Sequence, residues 1–330
     1  MKTYIGYSTD SNVRFNATSG GIGTSFLKWL FDKNIIETSI SFVFNSNTLR
    51  YEPQIIHSFN DYRISGSIYQ EIDLIGFIKS HLNEIKGVFA CFALPCQART
   101  IRKILEKAGY RSIIIGLTCS SQQTIDATKY LLSRKSITLK DVDYIQYRGN
   151  GWPSGIQIKT KNGQNLFINN NNSIWTQIFH SRLFIRQKYF KCQNTLNKYS
   201  DITLADPWLK DFMENEKIGK TLVFDYTEGK DKSLLELCCE DGYIIIDTIS
   251  ESVAIASQRG TILRKESYKT SKLLVNFYFT LINNIHYRKV IFYSSIFFNI
   301  HLFVKKYFER YLLKINSRYK KMVTNSIKVS

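Results

Sequence analysis

Proline is scarce in this sequence, 4 in 330 residues beside 17 glycines, which excludes a collagen-like or Pro-rich linker architecture. Six cysteines stand at 91, 96, 119, 192, 238 and 239, and no two form a CxxC pair. A self-contained zinc knuckle or ferredoxin-type loop is therefore excluded. The opening residues, MKTYIGYSTD, hold no apolar h-region, so no secretory leader is expected. A chain of this length has core enough to dispense with disulfide staples. The cysteines are then expected to be free thiols or metal ligands of a cytoplasmic protein. The longest uncharged run, Val290–Val304, has 15 residues and includes Ser, Asn and His, short of the roughly 20 that cross a bilayer. The five histidines fall in no recognisable motif, which argues against a Cys–His hydrolase.

What is present is a globular composition, 44% hydrophobic and 22% charged, which rules out wholesale disorder. The net charge of +18 is unevenly placed: Arg264 to the C-terminus carries 14 Lys/Arg against 2 Asp/Glu, a net +12, leaving +6 for the rest. A charge argument for membrane or nucleic acid thus applies to the tail alone. We divide the chain into a domain over 1–262 and a basic, aromatic, helical extension over 263–330.

Along the body, apolar and β-branched runs alternate with amphipathic ones. Strands are expected at Lys2–Tyr7, Val88–Ala93 and Arg111–Cys119, with a hairpin of Ile40–Phe44 and Arg50–Ser58. Helices are expected at Gly20–Asp32, Ile72–Lys86, Cys96–Ala108, Thr124–Ser133 and Ile174–Phe184. Asp141–Tyr147, Gly155–Thr160 and Asn165–Asn169 read as an antiparallel meander that runs into a four-Asn loop, Asn169–Asn172. Further short strands are expected at Ile202–Leu204, Thr221–Asp225 and Tyr243–Asp247. The fold class is α/β: a mixed β-sheet flanked by helices, a smaller antiparallel β section and a helical basic C-terminal extension. That extension, from Tyr268, either packs on the body or lies on an anionic lipid surface at the inner face of the membrane; no specific nucleic-acid partner is expected.

Four motifs carry chemistry. In RFNATSGGIG, Arg14–Gly23, small residues before a helix leave backbone N–H groups free at its positive end, which suits a phosphate. The same glycines would serve close packing, and the pattern is neither GxGxxG nor a P-loop. In ALPCQ, Cys96 follows Pro95 at a strand-to-helix turn, where a thiol is either an activated ligand or a buried structural group. Cys96, Cys119 and Cys192 stand singly at element ends and could share an iron–sulfur cluster or be unrelated, while Cys238 and Cys239 read as core. SDITLADPW puts Asp206 at a strand terminus, and YRGNGWPSG, Tyr147–Gly155, can lie against a flat ligand or simply turn the chain.

Taken in order, RxxATSGG, LPCQ, Cys119, YRGNGW, SDITLADPW, GKTLV and TEGK resemble the coenzyme F420 hydrogenase/dehydrogenase beta-subunit family, over roughly Tyr4 to Gly260. That resemblance implies noncovalent FAD beside a 4Fe–4S cluster, and electron transfer between an iron–sulfur carrier such as ferredoxin and an acceptor. It implies a flavin pocket built with Arg14, Thr18, Ser19, Gly20, Gly21, Pro95 and Gln97, and cluster ligands at Cys96, Cys119 and Cys192. No catalytic step is assigned to any residue, Asp206 and Trp208 included. Some relatives are encoded among surface-polysaccharide genes, so a small-molecule or glycan-precursor substrate is an expectation.

The sequence also departs from the family. Tyr189 stands where the first Cys of a CxxC belongs, Ser120 and Ser121 replace the residues after Cys119, Ala205 replaces Gly, and no N-terminal ferredoxin-like module is read within these residues, so the further clusters of longer relatives are not expected. Tyr is a poor substitute for thiolate on such a cluster. The leading expectation is a flavin-dependent oxidoreductase. The rival is a degenerate, non-redox accessory or transferase-like protein of surface-glycan assembly, using the old pocket for a nucleotide-sugar.

Overall fold

A computed structural model describes residues 1–170, 173–227 and 232–327, with side chains to 316. Part of the four-Asn loop, 171–172, and residues 228–230 of TEGK lie outside the described residues, as do the last three of the tail.

The main sheet has six strands. In chain order they are β1 (Lys2–Ser8), β4 (Phe89–Ala93), β5 (Ser112–Leu117), β9 (Ile202–Ala205), β10 (Thr221–Asp225) and β11 (Ile244–Thr248), where β2 (Ser39–Asn45), β3 (Arg50–Ile56), β6 (Val142–Gln146), β7 (Gly155–Thr160) and β8 (Asn165–Asn169) belong to smaller sheets. The order across the main sheet is β11-β1-β10-β9-β5-β4. β4, β5 and β9 run parallel, whereas β9–β10, β10–β1 and β1–β11 are antiparallel pairs. β9 is thus the seam where a parallel half meets an antiparallel one. β2 and β3 form the expected hairpin, and β6–β7–β8 the expected meander, its register Gly155↔Asn169 to Lys159↔Asn165. The fold is α/β, with a mixed sheet flanked by helices, a small antiparallel sheet and helices at the C-terminal end.

The helix Ile22–Asp32 lies on the sheet because Ile22, Phe26, Trp29 and Leu30 fall on one side at helical spacing and are all buried. They pack with Ala90, Ile115, Leu204 and Val223 from the strands beneath. On the other side of β4 and β5, Leu74, Ile78, Ile101 and Leu105 close a second core around Phe89, Cys91 and Ile114. The helix expected over Ile72–Lys86 is shorter, Leu74–Ser80, with Asp73 capping it through the Gly76 amide. Short helices at Ser11–Asn16, Gln187–Lys191, Lys210–Asn215 and Leu234–Glu240 were not expected, since each has too few residues to show a period. The last of these buries Cys238 and leaves Cys239 half-buried.

From Ser250 onward the chain is helical: Glu251–Ser257, Arg259–Thr270, Lys272–Ile282, Ile285–Tyr293 and Ser295–Ile327. These helices pack on the body. Tyr268, Val275, Tyr278, Ile282, Ile291, Phe298 and Leu312 join Tyr130, Trp175, Phe184 and Phe190 in one continuous apolar cluster, which crosses the boundary drawn at 262/263. Tyr130 holds Phe298 at 5.2 Å and Phe184 at 5.5 Å between ring centroids. Among the described residues, no helix is long and apolar enough to cross a membrane.

Candidate functional site

At the carboxyl ends of β4, β5 and β9 the structure opens a cavity of about 840 Å³. This is the seam of the sheet, the place where α/β ligand sites tend to form. Ala93, Leu117 and Ala205 mark the strand ends in its wall. Aromatic rings of Phe42, Tyr62, Tyr69, Phe92, Trp175 and Trp208 supply much of the remaining surface.

The first turn of the Ile22–Asp32 helix forms another wall, since Gly21, Gly23 and Thr24 line the cavity. The helix begins at Gly21, φ +79°, and no side chain caps it. Its first amides have no side-chain acceptor, and the positive end of the helix dipole stands at the cavity wall. Gly20, φ +131°, performs a different task. A Cβ there would stand 2.8 Å from the Lys220 Cα and Thr221 N, so Gly20 lets the loop lie on the backbone before β10.

Of the residues singled out from sequence, Thr18, Ser19, Gly21, Gln97 and Cys119 line the cavity, with Asp206 and Trp208. Arg14 does not. Its guanidinium lies 3.7 Å from the centroid of the Tyr7 ring, Nε donates to the Gly219 carbonyl at 3.0 Å, and Glu216 pairs with it at 3.4 Å. Gln97 is spent on its own turn, its Oε1 accepting from the Leu94 amide at 3.0 Å. Pro95 is buried outside the lining, its carbonyl accepting from Asn194 at 3.2 Å.

Arg148, from YRGNGWPSG and only 3% exposed, does line the cavity. It forms an ion pair with Asp206 and donates to the Thr18 carbonyl at 3.2 Å. Trp152 and Trp208 flank it, with ring centroids 5.5 and 6.0 Å from Cζ. Burial works against its charge, and Asp206, helped by Tyr69, more than restores it. Arg148 Nε is buried with no partner. Arg264 adds a second positive group: it donates to Ser120 Oγ at 2.7 Å, and burial beside Arg182 brings its guanidinium down to about 10. Sequence reasoning passed over Tyr69, Trp175, Gln258 and Arg264, which come from four separate segments with no motif among them.

Cys96, Cys119 and the pair Tyr189 and Cys192, which share the helix Gln187–Lys191 and its C-cap, come from three segments into one neighbourhood at the edge of the cavity. Burial pushes the Cys119 thiol up to about 12, Lys265 works against that shift, and Cys96 and Cys192 add to it. The centre is taken by Lys265, 3% exposed, whose Nζ donates to the carbonyls of Cys119 at 2.8 Å and Asn194 at 3.0 Å and lies 3.5 Å from Cys192 Sγ. Tyr189 is buried, its hydroxyl 3.4 Å from Gln122 Oε1, and Cys96 is exposed. Among the described residues, no group of three or more His, Cys, Asp or Glu side chains is gathered closely enough to hold a metal ion. A phenol for the fourth thiolate and an ammonium among the other three do not fit a cubane cluster, which takes four thiolates.

The sequence carries two adjoining matches to one family. Residues 3–79 match the N-terminal model of the coenzyme F420 hydrogenase/dehydrogenase beta subunit, and residues 88–252 match its C-terminal model. The chain belongs to this family. Among solved structures, a chain of the F420-reducing NiFe hydrogenase complex from Methanosarcina barkeri, a xenon derivative, superposes with a TM-score of 0.60 at 14% identity. That match covers 81% of this chain and 90% of the other, and at that identity it speaks to the fold alone. No curated protein matches. The second family segment ends at residue 252 and takes in the whole sheet and the three thiols, whereas Gln258, Thr261 and Arg264 of the cavity wall, Lys265 and the helices after it lie beyond the match.

Proposed function

We propose that this chain is a flavin-binding redox protein whose nucleotide cofactor, FAD, occupies the cavity at the seam of the sheet. The observation that carries the reading is the partnerless, buried Nε of Arg148 beside an uncapped helix start, in an aromatic-walled space large enough for a dinucleotide-sized ligand. The first-turn amides of Ile22–Asp32 and the Arg148 guanidinium would hold the diphosphate, and the rings of the wall would enclose the flat ring system. A bound flavin supplies one- and two-electron transfer.

The chain's own groups prepare the site. Asp206 fixes the Arg148 fork, Trp152 and Trp208 shield it from water, and Arg264 adds positive charge at the Ser120 side. No step is routed through an iron–sulfur cluster, because Lys265 and Tyr189 stand in its ligand set. Electrons would therefore reach the cofactor directly from a donor such as ferredoxin, or from a reduced small molecule.

The test is an anaerobic purification followed by a visible spectrum, release of the cofactor by heat and its chromatographic identification. The expected result is a flavin spectrum with FAD in the supernatant, and retention about tenfold weaker in Arg148→Lys, which keeps the charge and loses the bidentate fork. Colourless protein that binds a nucleotide-sugar would overturn this reading. The non-redox, transferase-like alternative, which the departures at Tyr189, Ser120 and Ala205 favour, would then stand.

A further inference from the structure

The C-terminal helices are apolar on two sides. In Ser295–Ile327 the inward stripe is Phe298, His301, Lys305 and Leu312, all buried against the body. The outward stripe is Ile296, Ile300, Phe303, Tyr307 and Tyr311, at helical spacing of three and four, with Ile296 70% and Phe303 61% exposed. The two helices before it repeat the pattern: Lys272–Ile282 exposes Leu273 at 85% and Phe277 at 73%, and Ile285–Tyr293 exposes Ile285 and Tyr293. Large apolar side chains on water at this density mark a surface that normally meets something else.

Charge says what that something is. Lys272, Lys289, Lys306 and Arg310 are exposed on the same three helices. After Glu266 the side-chain carboxylates number one, Glu309, and it is turned inward to Arg182, Lys305 and the Tyr268 hydroxyl. The outward surface of these helices thus carries exposed cations and apolar rings, while the one side-chain carboxylate they own faces the body. A second copy would bring like charge against like. An anionic bilayer offers both an apolar layer for the rings and phosphates for the lysines.

We infer that the outer face of helices 272–282 and 285–293, continued by residues 295–316 of the last helix, docks this protein on the surface of an anionic lipid bilayer, lying in the interface without crossing it. The packed inner face and the lipid-facing outer face belong to the same helices, so packing on the body and membrane contact occur together. The inference stands independently of the cofactor.

The experiment is flotation of the full-length protein with vesicles of phosphatidylcholine alone or mixed with phosphatidylglycerol. Binding is expected to the mixed vesicles only, and to weaken as salt screens the lysines over a Debye length of roughly 8–10 Å. Phe277→Ser and Phe303→Ser alter only exposed rings. Each is expected to weaken vesicle binding about tenfold, with thermal unfolding and cofactor content unchanged. Equal binding by both variants, or none to the mixed vesicles, overturns the inference. So does a dimer in sedimentation equilibrium that Phe303→Ser dissociates, since a second copy would then be the occupant.

Discussion

Removing the ammonium of Lys265 takes a donor from two half-buried carbonyls, those of Cys119 and Asn194, at up to about 1–3 kcal/mol for a group left unpaired. Lys265→Met is expected to destabilise the protein on that scale in denaturant titration. The same residue governs metal binding. Tyr189→Cys completes the family's CxxC, yet with the ammonium in place it is expected to stay free of iron after anaerobic reconstitution. Tyr189→Cys with Lys265→Ala is expected to take up iron and sulfide. Iron in the single variant would show that the ammonium yields to the cluster. Tyr189 was legible in the sequence because it occupies a motif position. Lys265 was not: it lies 73 residues from Cys192 in a helix whose basic pattern reads as surface, and only the fold brings the two together. Arg148 and Arg14 show the same limit, since both are arginines in glycine-rich neighbourhoods and one faces the cavity while the other packs on Tyr7.

The long helix from Ser295 is fastened through one carboxylate. Burial works to raise the pKa of Glu309, but Arg182 and Lys305 beside it outweigh burial and hold it down to about 2, against an ordinary value of 4.5. A carboxylate depressed in the folded state contributes stability that is complete above its unfolded value and is lost as pH falls toward the folded one. The contribution of Glu309 is therefore expected to disappear between about pH 4.5 and 2. Thermal unfolding measured across that window should fall more steeply for wild type than for Glu309→Gln, and equal slopes would count against the ion pairs. This fastening could not be read from sequence, where Glu309 is a single acid in a basic run. The helices themselves could, because their periodicity is long and uninterrupted.

The C-terminal helices contribute seven buried apolar side chains to the largest core, Tyr268 through Leu312. At about 1.5–3 kcal/mol each, their loss is comparable to the whole of the roughly 5–15 kcal/mol that holds a typical domain together. A chain ending at Ser267 is accordingly expected to be insoluble, or to lose cooperative unfolding in circular dichroism. A soluble fragment with a sharp transition would show that the body folds alone. The strand pattern of the sheet was legible throughout because alternation and β-branching are local. The shared core was not, since nothing local in residues 268–312 distinguishes a face that meets protein from one that meets lipid.

The placement of β1 bears on the order of assembly. Both of its neighbours, β10 and β11, lie more than 200 residues further along, Lys2 facing Asp225 and Tyr4 facing Thr248. During synthesis this strand must wait with both edges open until most of the polypeptide has left the ribosome, and closing so long a loop is slow. An early-emerging, two-edged apolar strand is what chaperones and misfolded assemblies bind. Slow, late closure makes the yield of folded protein sensitive to how fast the chain is made.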